Sequence, residues 1–333
     1  MYTDEDLDDA VAEGLFSEAA VAAFRARVTE RRRGATDADD ERFQLLSGFN
    51  DIFVVIASAL LLLSAGWIGY RAAPWLGALG VSAISWVLAE FFVRTRRMAL
   101  MAIVLLLSFL GGVLAVIVSA QVLPGGAVSD AVVGLSTAIA ASVHWRRFHV
   151  PITVAAALCV LASTLIQVAL ALFPWLRDAV PGLVLAAGVV AFLLALRWDA
   201  SDPQRQTRRA DVAFWLHLVA APLLVHSAFA MLGLEHSSGA GARTSLVLLL
   251  YVALALVSLA IDRRAFMVSA LGYVLYAFSS LLNHAGVASM AFAITALLIG
   301  SALLVLSAFW RRSRVAVVSH LPTALQARLA PLG

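Results

Sequence analysis

Long apolar runs recur along most of this chain, and they limit the folds open to it more than any other feature. Between residues 51 and 310 the sequence repeats stretches of mostly Ala, Val, Leu, Ile and Phe. A helix of about 20 such residues crosses the roughly 30 Å hydrocarbon core of a bilayer. With 62% apolar and only 14% charged residues, the chain has more apolar surface than a water-soluble core can bury. We therefore expect an all-α fold, a polytopic transmembrane helix bundle.

The apolar runs predict about ten spans, with nine or eleven left open. The fourth run is the weakest, because it is short and carries Asp130, Ser129 and Ser136. The predicted spans cover residues 51–70, 74–93, 99–123, 126–143, 150–173, 180–198, 210–233, 243–261, 265–283 and 290–310.

Arginine is distributed unevenly between the loops that connect these spans. Short cytoplasmic loops of membrane proteins are enriched in positive residues, and all 24 positive residues here are arginine. Every second loop is arginine-rich, so that four loops hold eleven arginines and the others hold three. This alternation predicts that the fourth run does cross and that both termini are cytoplasmic. The eleven are Arg94, Arg96, Arg97, Arg146, Arg147, Arg197, Arg205, Arg208, Arg209, Arg263 and Arg264; the three are Arg71, Arg177 and Arg243.

The start of the chain is acidic, unlike the rest. Twelve acids and six arginines give the first 50 residues a net charge of −6. Thr3 precedes three acids and can begin a helix, Gly14 can end it, and Ser17 can begin a second one. A small cytosolic helical hairpin with an acidic linker is therefore expected over residues 1–41.

Two further parts follow this head. The transmembrane bundle is expected over residues 42–310. Residues 311–333 alternate short apolar groups with arginine and predict an amphipathic helix on the cytoplasmic leaflet.

The first 51 residues also resemble a known kind of protein. Their pattern is similar to that of bacterial multi-pass membrane proteins in families of unknown function. The resemblance implies a bacterial inner-membrane protein and assigns no site residue. It rests on Leu7, Ala10-Val11 and Gly14-Leu15, and on the entry Arg42-Phe43…Gly48-Phe49-Asn50-Asp51.

Familiar catalytic patterns are missing from the sequence. It has no His-Glu-x-x-His, Walker loop, nucleophile elbow or dinucleotide-binding glycine pattern. The single cysteine, Cys159, cannot form an internal disulfide or a cysteine-based zinc site. We expect no enzyme activity, no cofactor, no metal and no nucleic-acid partner.

Several polar residues are predicted at similar depth in the periplasmic third of the spans. Asp130, Gln167, His226 and His284 belong to spans 4, 5, 7 and 9. If these spans surround one cavity, they form a periplasm-facing pocket for a small-molecule substrate; if they do not, these residues are ordinary interhelical hydrogen-bonding and loop residues.

Span 7 has the most unusual sequence of the predicted spans. Pro222 cannot donate a backbone hydrogen bond, so a kink is expected between His217 and His226. Broken helices line substrate sites in many transporters, although a kink packed against a neighbouring helix is commoner. The two histidines are nine residues apart and face opposite sides, so they cannot bind one metal ion. A haem would need His226 together with His284.

The remaining polar residues predict structural roles. Glu90 and Arg94 are spaced for a local ion pair. His144 and His149 flank Arg146 and Arg147 in an arginine-rich loop beside Trp145. This group predicts an interfacial anchor, with binding of lipid phosphate as the alternative. The pair Gly111-Gly112 predicts close packing between helices.

Two functions are compatible with these features. The first is a transporter or permease-like protein with its polar pocket around span 7. The second is a non-transporting membrane scaffold or sensor, which binds a protein partner through its acidic head.

Overall fold

The computed structural model describes residues 4–36, 49–120, 126–202, 207–231, 241–271, 274–275, 291–322 and 326. In these residues the regular secondary structure is helical, without strands. The contacts divide the chain into two compact units, Met1–Gln44 with Gly333 and Leu45–Leu332.

The first unit contains two helices, α1 (Asp4–Ala12) and α2 (Glu18–Thr36). Gly14 lies between them at φ +72°, a conformation that costs glycine little. Ser17 precedes α2, and its Oγ accepts a hydrogen bond from the Ala20 amide at 3.2 Å. The two helices therefore end and begin where Gly14 and Ser17 predict.

The second unit consists of long apolar helices. In lipid the backbone must satisfy its own hydrogen bonds, and a helix does so within one segment. Proline lies in the first turn of α4 and of α8. Backbone N–H groups in a first turn have no acceptor within the helix, so the absence of an N–H in proline costs no hydrogen bond there. The helices are α3 (Phe49–Ala72), α4 (Pro74–Ala89, continued by a π-helical turn Glu90–Thr95), α5 (Ala99–Ser119), α6 (Ala127–Phe148), α7 (Ile152–Leu172), α8 (Val180–Ala200, preceded by a 3-10 turn Pro174–Ala179), α9 (Arg208–Met231), α10 (Gly241–Ile261), α11 (Ala291–Ala308) and α12 (Trp310–Ser319).

Seven helices in the described residues are long and apolar enough to cross a membrane, or eight if the bent pair α11 and α12 forms one span. The chain is therefore a multi-pass membrane protein with an all-α bundle. The predicted eighth span corresponds to α10, and much of the predicted ninth, 265–283, lies outside the described residues. The total of about ten spans stays a prediction.

Three connections between helices contain a residue in the left-handed backbone conformation. Arg97, His149 and Asp262 have φ of 53°, 53° and 58°, and they are the only non-glycine residues with positive φ in the described part of the chain. A left-handed residue ends a helix sharply. All three lie in or beside arginine-rich loops, which therefore turn within a few residues.

Side-chain contacts bring four arginine-rich loops to one end of the bundle. Arg147 in the last turn of α6 contacts Glu90 in the π-helical turn after α4. Trp145 packs on a buried cluster shared by α7, α8 and α9. Arg263 after α10 reaches the Ala210 carbonyl at the start of α9. We call this end, which holds the loops after α4, α6, α8 and α10, the arginine-rich end.

Glycines allow consecutive helices to approach closely. A Cβ added to these glycines would lie 3.0 Å or less from an atom of the neighbouring helix, so each glycine packs directly against that helix. The pairs are Gly69 of α3 with Gly77 of α4, Gly112 of α5 with Ser82 of α4, Gly134 of α6 with Thr164 of α7, and Gly188 of α8 with Leu224 of α9.

The two glycines of α5 differ in their surroundings. Gly112 is buried against α4, where an added Cβ would contact the Ser82 hydroxyl and lie 3.0 Å from the Ala78 carbonyl. Gly111 has no atom within 4 Å of an added Cβ. Of this pair, Gly112 makes the predicted close contact and Gly111 does not.

The last described helix turns away from the span before it. The axis of α12 bends 76° from that of α11. Most residues from 323 to 333, which include much of the predicted amphipathic tail, lie outside the described part of the chain.

Candidate functional site

Asp199 is the centre of a polar cluster at the arginine-rich end. Its Oδ1 accepts a hydrogen bond from Arg263 Nη2 at 2.8 Å, and its Oδ2 lies 2.8 Å from His217 Nε2. An ionised carboxylate can only accept hydrogen bonds, so His217 carries its proton on Nε2. One carboxylate therefore binds two basic side chains, one with each oxygen.

Three separate elements bring these side chains together. Asp199 lies in the last turn of α8, and His217 lies inside α9, which packs closely on α8 through Gly188. Arg263 follows α10, and the left-handed Asp262 before it redirects the chain toward α8. The Ser258 hydroxyl donates to the Arg263 carbonyl and fixes this turn.

The cluster is almost closed to solvent. The side chains of His217 and Arg263 are 1% and 4% exposed, and that of Asp199 is 18% exposed. Charged groups are rarely buried to this extent unless they are paired. Asp199 is thus the most accessible member of the cluster, and His217 lies behind it.

Aromatic rings surround the two basic side chains. The guanidinium of Arg263 lies 5.8 Å from the Phe214 ring centroid, a cation–π distance. The His217 ring contacts Phe192 at 5.6 Å and Phe266 at 6.4 Å between centroids. These rings exclude water and strengthen the electrostatic attraction inside the cluster.

The net charge of the cluster depends on whether His217 carries one proton or two. With neutral His217, the charges of Asp199 and Arg263 cancel; a proton on His217 gives the cluster one net positive charge. In the described residues no group of three His, Cys, Asp or Glu side chains is placed to hold a metal ion.

A second ionic group lies on the surface of the same end. Glu90 pairs with Arg94 at 2.9 Å, as predicted, and also with Arg147 at 2.7 Å. The three side chains are 32%, 49% and 46% exposed. Exposed ion pairs contribute little to stability, so this group is the natural comparison for the buried cluster.

His144 is not the interfacial anchor that its position beside Arg146 predicts. Its side chain is buried in α6 among the rings of Trp86, Phe109 and Phe148. Nδ1 lies 3.5 Å from the Thr153 hydroxyl, and Nε2 has no hydrogen-bond partner among the described residues. For His144 the prediction is wrong, because α6 continues to Phe148 and places this residue on its inner face, whereas His149 is exposed.

The other predicted site residues lie in different surroundings. His217 is fully buried in the cluster, whereas His226, nine residues further along α9, is exposed. Gln167 of α7 is exposed, and Asp130 in the first turn of α6 is half-buried. Pro222 lies inside α9, which continues as one helix through it. His284 lies outside the described residues, so the periplasm-facing pocket stays a prediction.

Two members of the cluster were not among the predicted site residues. Arg263 is one of eleven arginines in the arginine-rich loops, and charge counting treats them all alike. Asp199 lies one residue beyond the predicted span 180–198, and the sequence analysis assigns it no role. The available signal is an acid directly after an apolar span, in an arginine-rich loop.

Comparison with known proteins does not assign a function to the cluster. The resemblance of the first 51 residues to bacterial families of unknown function therefore stays a prediction. In comparisons with known proteins, no family model, no curated protein and no solved structure matches this chain.

Proposed function

We propose that this protein is a transporter or permease-like membrane protein whose working centre is the Asp199–His217–Arg263 cluster. The observation that carries the proposal is a carboxylate bound by two buried basic side chains from different elements of a membrane bundle. Buried charges are costly, and an ionisable residue inside an apolar span, such as His217 in α9, is in membrane proteins often part of a substrate, ion or proton pathway. The proposed centre includes His217 of span 7, the span on which the sequence predicts a polar pocket, but it lies toward the arginine-rich end.

The cluster suggests how protonation would change the bundle. A proton on His217 adds a second positive charge beside Asp199, which then attracts two cations instead of one. The Asp199–His217 interaction then becomes stronger relative to the Asp199–Arg263 interaction. The first interaction joins α8 to α9, and the second joins α8 to the turn after α10. Proton binding would thereby favour a different packing of these elements, as alternating access requires.

The proposal includes a membrane topology. The chain crosses the bacterial inner membrane about ten times, with its helical hairpin and both termini in the cytoplasm. The support is the eleven-to-three distribution of arginines between alternate loops. In this topology the arginine-rich end and the cluster face the cytoplasm, whereas the small-molecule pocket that the sequence predicts faces the periplasm.

Currents from proteoliposomes on a solid-supported membrane test the transport proposal. Amino acids, carboxylates, amines and sugars are applied in turn, each with an inward proton gradient. We expect one class to produce a current that empty liposomes do not produce. His217→Gln should abolish this current, because glutamine can still donate a hydrogen bond to Asp199 but cannot bind a proton. The matched control, Glu90→Gln, should retain the current.

The transport proposal fails if none of the four classes produces a current. It also fails if His217→Gln transports as well as the unmodified protein. Loss of the current in both variants would show a general effect of removing charge at the arginine-rich end, and would equally contradict a working centre at His217.

The scaffold or sensor function is favoured by one observation in the first unit. Leu15, Phe16 and Phe24 are 69%, 55% and 55% exposed in that unit. Large apolar side chains on an otherwise acidic head are suited to binding a protein partner. This alternative predicts that deleting residues 1–41 abolishes function while His217→Gln has no effect.

A further inference from the structure

An apolar groove lies between the helical segment 265–271 and α11 at the arginine-rich end. It has a volume of about 180 Å³. Its walls are Met267, Val268, Leu271, Leu303 and Leu306, and Arg264, Ser307 and Trp310 lie at one end.

The polar residues form one end of the groove and the apolar residues form the rest. Arg264 Nη1 donates to the Ser307 hydroxyl at 3.4 Å, and the guanidinium lies 4.9 Å from the Trp310 ring centroid. Leu271 is seven residues further along its helical segment, which is about 10 Å of helix. The groove therefore has a charged mouth and an apolar interior about 10 Å long.

If α11 spans the membrane, the mouth lies at the depth of the lipid headgroups. The 76° bend before α12 turns that helix across the direction of α11, along the membrane surface if α11 spans it. Trp310 begins α12, and its Nε1 donates to Asp262 Oδ1 at 2.7 Å, which fixes the bend. Tryptophan and arginine side chains are typical of the membrane–water interface.

Within the described residues, the positive charge at the mouth is only partly balanced by carboxylates. Asp262 is the nearby carboxylate, and it already binds Trp310 and lies 3.8 Å from Arg314. No carboxylate within the described ranges forms an ion pair with Arg264 or Arg312. A ligand with a negative headgroup would supply the missing charge.

We infer that this groove binds one anionic phospholipid, with its phosphate on Arg264 and Ser307 and one acyl chain along Val268, Leu271 and Leu306. Charge favours an anionic lipid over a zwitterionic one, whose own amine already balances its phosphate. The inference is independent of the transport proposal, since Arg264 is not a member of the Asp199 cluster.

Native mass spectrometry of the full-length protein tests this site. The protein is delipidated in mild detergent and mixed with equal amounts of phosphatidylglycerol and phosphatidylethanolamine that carry the same acyl chains. We expect the first bound lipid to be phosphatidylglycerol by roughly fivefold, the effect of one basic residue near a membrane surface. Arg264→Gln should remove this preference.

Two further variants separate the site from general effects. Arg96 is a matched control, because its guanidinium also lies over an aromatic ring, Phe91 at 5.6 Å, but it does not line the groove. Arg96→Gln should keep the preference. Leu306→Trp fills the groove and should reduce retention of both lipids.

Three results would overturn the inference. In the first, Arg264→Gln keeps the preference for phosphatidylglycerol. In the second, Arg96→Gln removes it as fully as Arg264→Gln does, so that diffuse surface charge accounts for it. In the third, Leu306→Trp retains both lipids as well as the unmodified protein, so that neither chain lies in the groove.

Discussion

Replacing Asp199 with asparagine tests whether the buried cluster is held by charge. The carboxylate accepts from His217 and from Arg263 at 2.8 Å each. Asparagine has one oxygen, so its amide nitrogen would face one of these two donors. Arg263, which is 4% exposed, would lose its counter-ion inside the protein.

The burial of the Asp199–Arg263 pair determines how much stability Asp199→Asn should lose. Breaking a buried ion pair by removing one partner costs about 3 to 5 kcal/mol of folding free energy. The side chain of Asp199 is 18% exposed, so some of the lost attraction is replaced by water. We expect Asp199→Asn to lower the free energy of unfolding by about 3 kcal/mol, the low end of that range.

Unfolding in mixed detergent micelles with increasing sodium dodecyl sulfate measures this change. The control is Glu90→Gln, which also removes a carboxylate bound to two basic residues, but at the surface. It should lower the free energy of unfolding far less, because water and salt already screen those pairs. Equal losses in the two variants would refute the reasoning.

A second substitution should rescue the first. In Asp199→Asn/Arg263→Met the uncompensated buried charge is gone, and the asparagine oxygen can still accept from His217. Apolar replacement of a buried ion pair is often neutral for stability. The double variant should therefore recover most of the loss, and a loss equal to the sum of the two single variants would contradict a direct Asp199–Arg263 interaction.

Three further predictions, which use four substitutions, are tested in the same unfolding assay or by proteolysis. Gly112→Ala should lower the free energy of unfolding by about 2 kcal/mol through overpacking, whereas Gly111→Ala, with open space around it, should change it by less than about 1 kcal/mol. Trp310→Phe keeps the ring but loses the hydrogen bond to Asp262, worth about 1 kcal/mol, so trypsin should cleave α12 faster. His144→Phe removes a buried ring nitrogen that lacks a partner in the described structure, and stability should stay equal or rise by about 1 kcal/mol.

Each of these three predictions has a contradicting result. Equal effects at Gly112 and Gly111 would mean that α5 does not pack on α4 as described. An unchanged cleavage rate in Trp310→Phe would mean that the hydrogen bond does not fix α12. A large loss of stability in His144→Phe would mean that its ring nitrogens make hydrogen bonds essential to the fold.

Features that depend only on residues close together in the chain could be predicted from the sequence. The apolar runs predict the long helices because length and hydropathy are local quantities. Gly14 and Ser17 mark the turn between α1 and α2 by their own conformational and hydrogen-bonding preferences. The Glu90–Arg94 pair follows from helical spacing alone.

Features that depend on helix order could not be predicted in this way. Arg147 binds Glu90 across 57 residues, and Arg263 binds Asp199 across 64. Hydropathy identifies spans but not their neighbours, so the sequence could not show which of eleven loop arginines would be buried. The face of a uniformly apolar helix is equally undetermined, which is why His144 was assigned to the surface.

The most direct test of the central claim combines stability and transport in Asp199→Asn/Arg263→Met. The measurement is its proteoliposome current for the solute class that the screen identifies, compared with the unmodified protein. If the cluster is a working centre, the double variant unfolds like the unmodified protein but produces no current. If it carries the same current, the cluster only holds α8, α9 and the turn after α10 together, and the account is wrong.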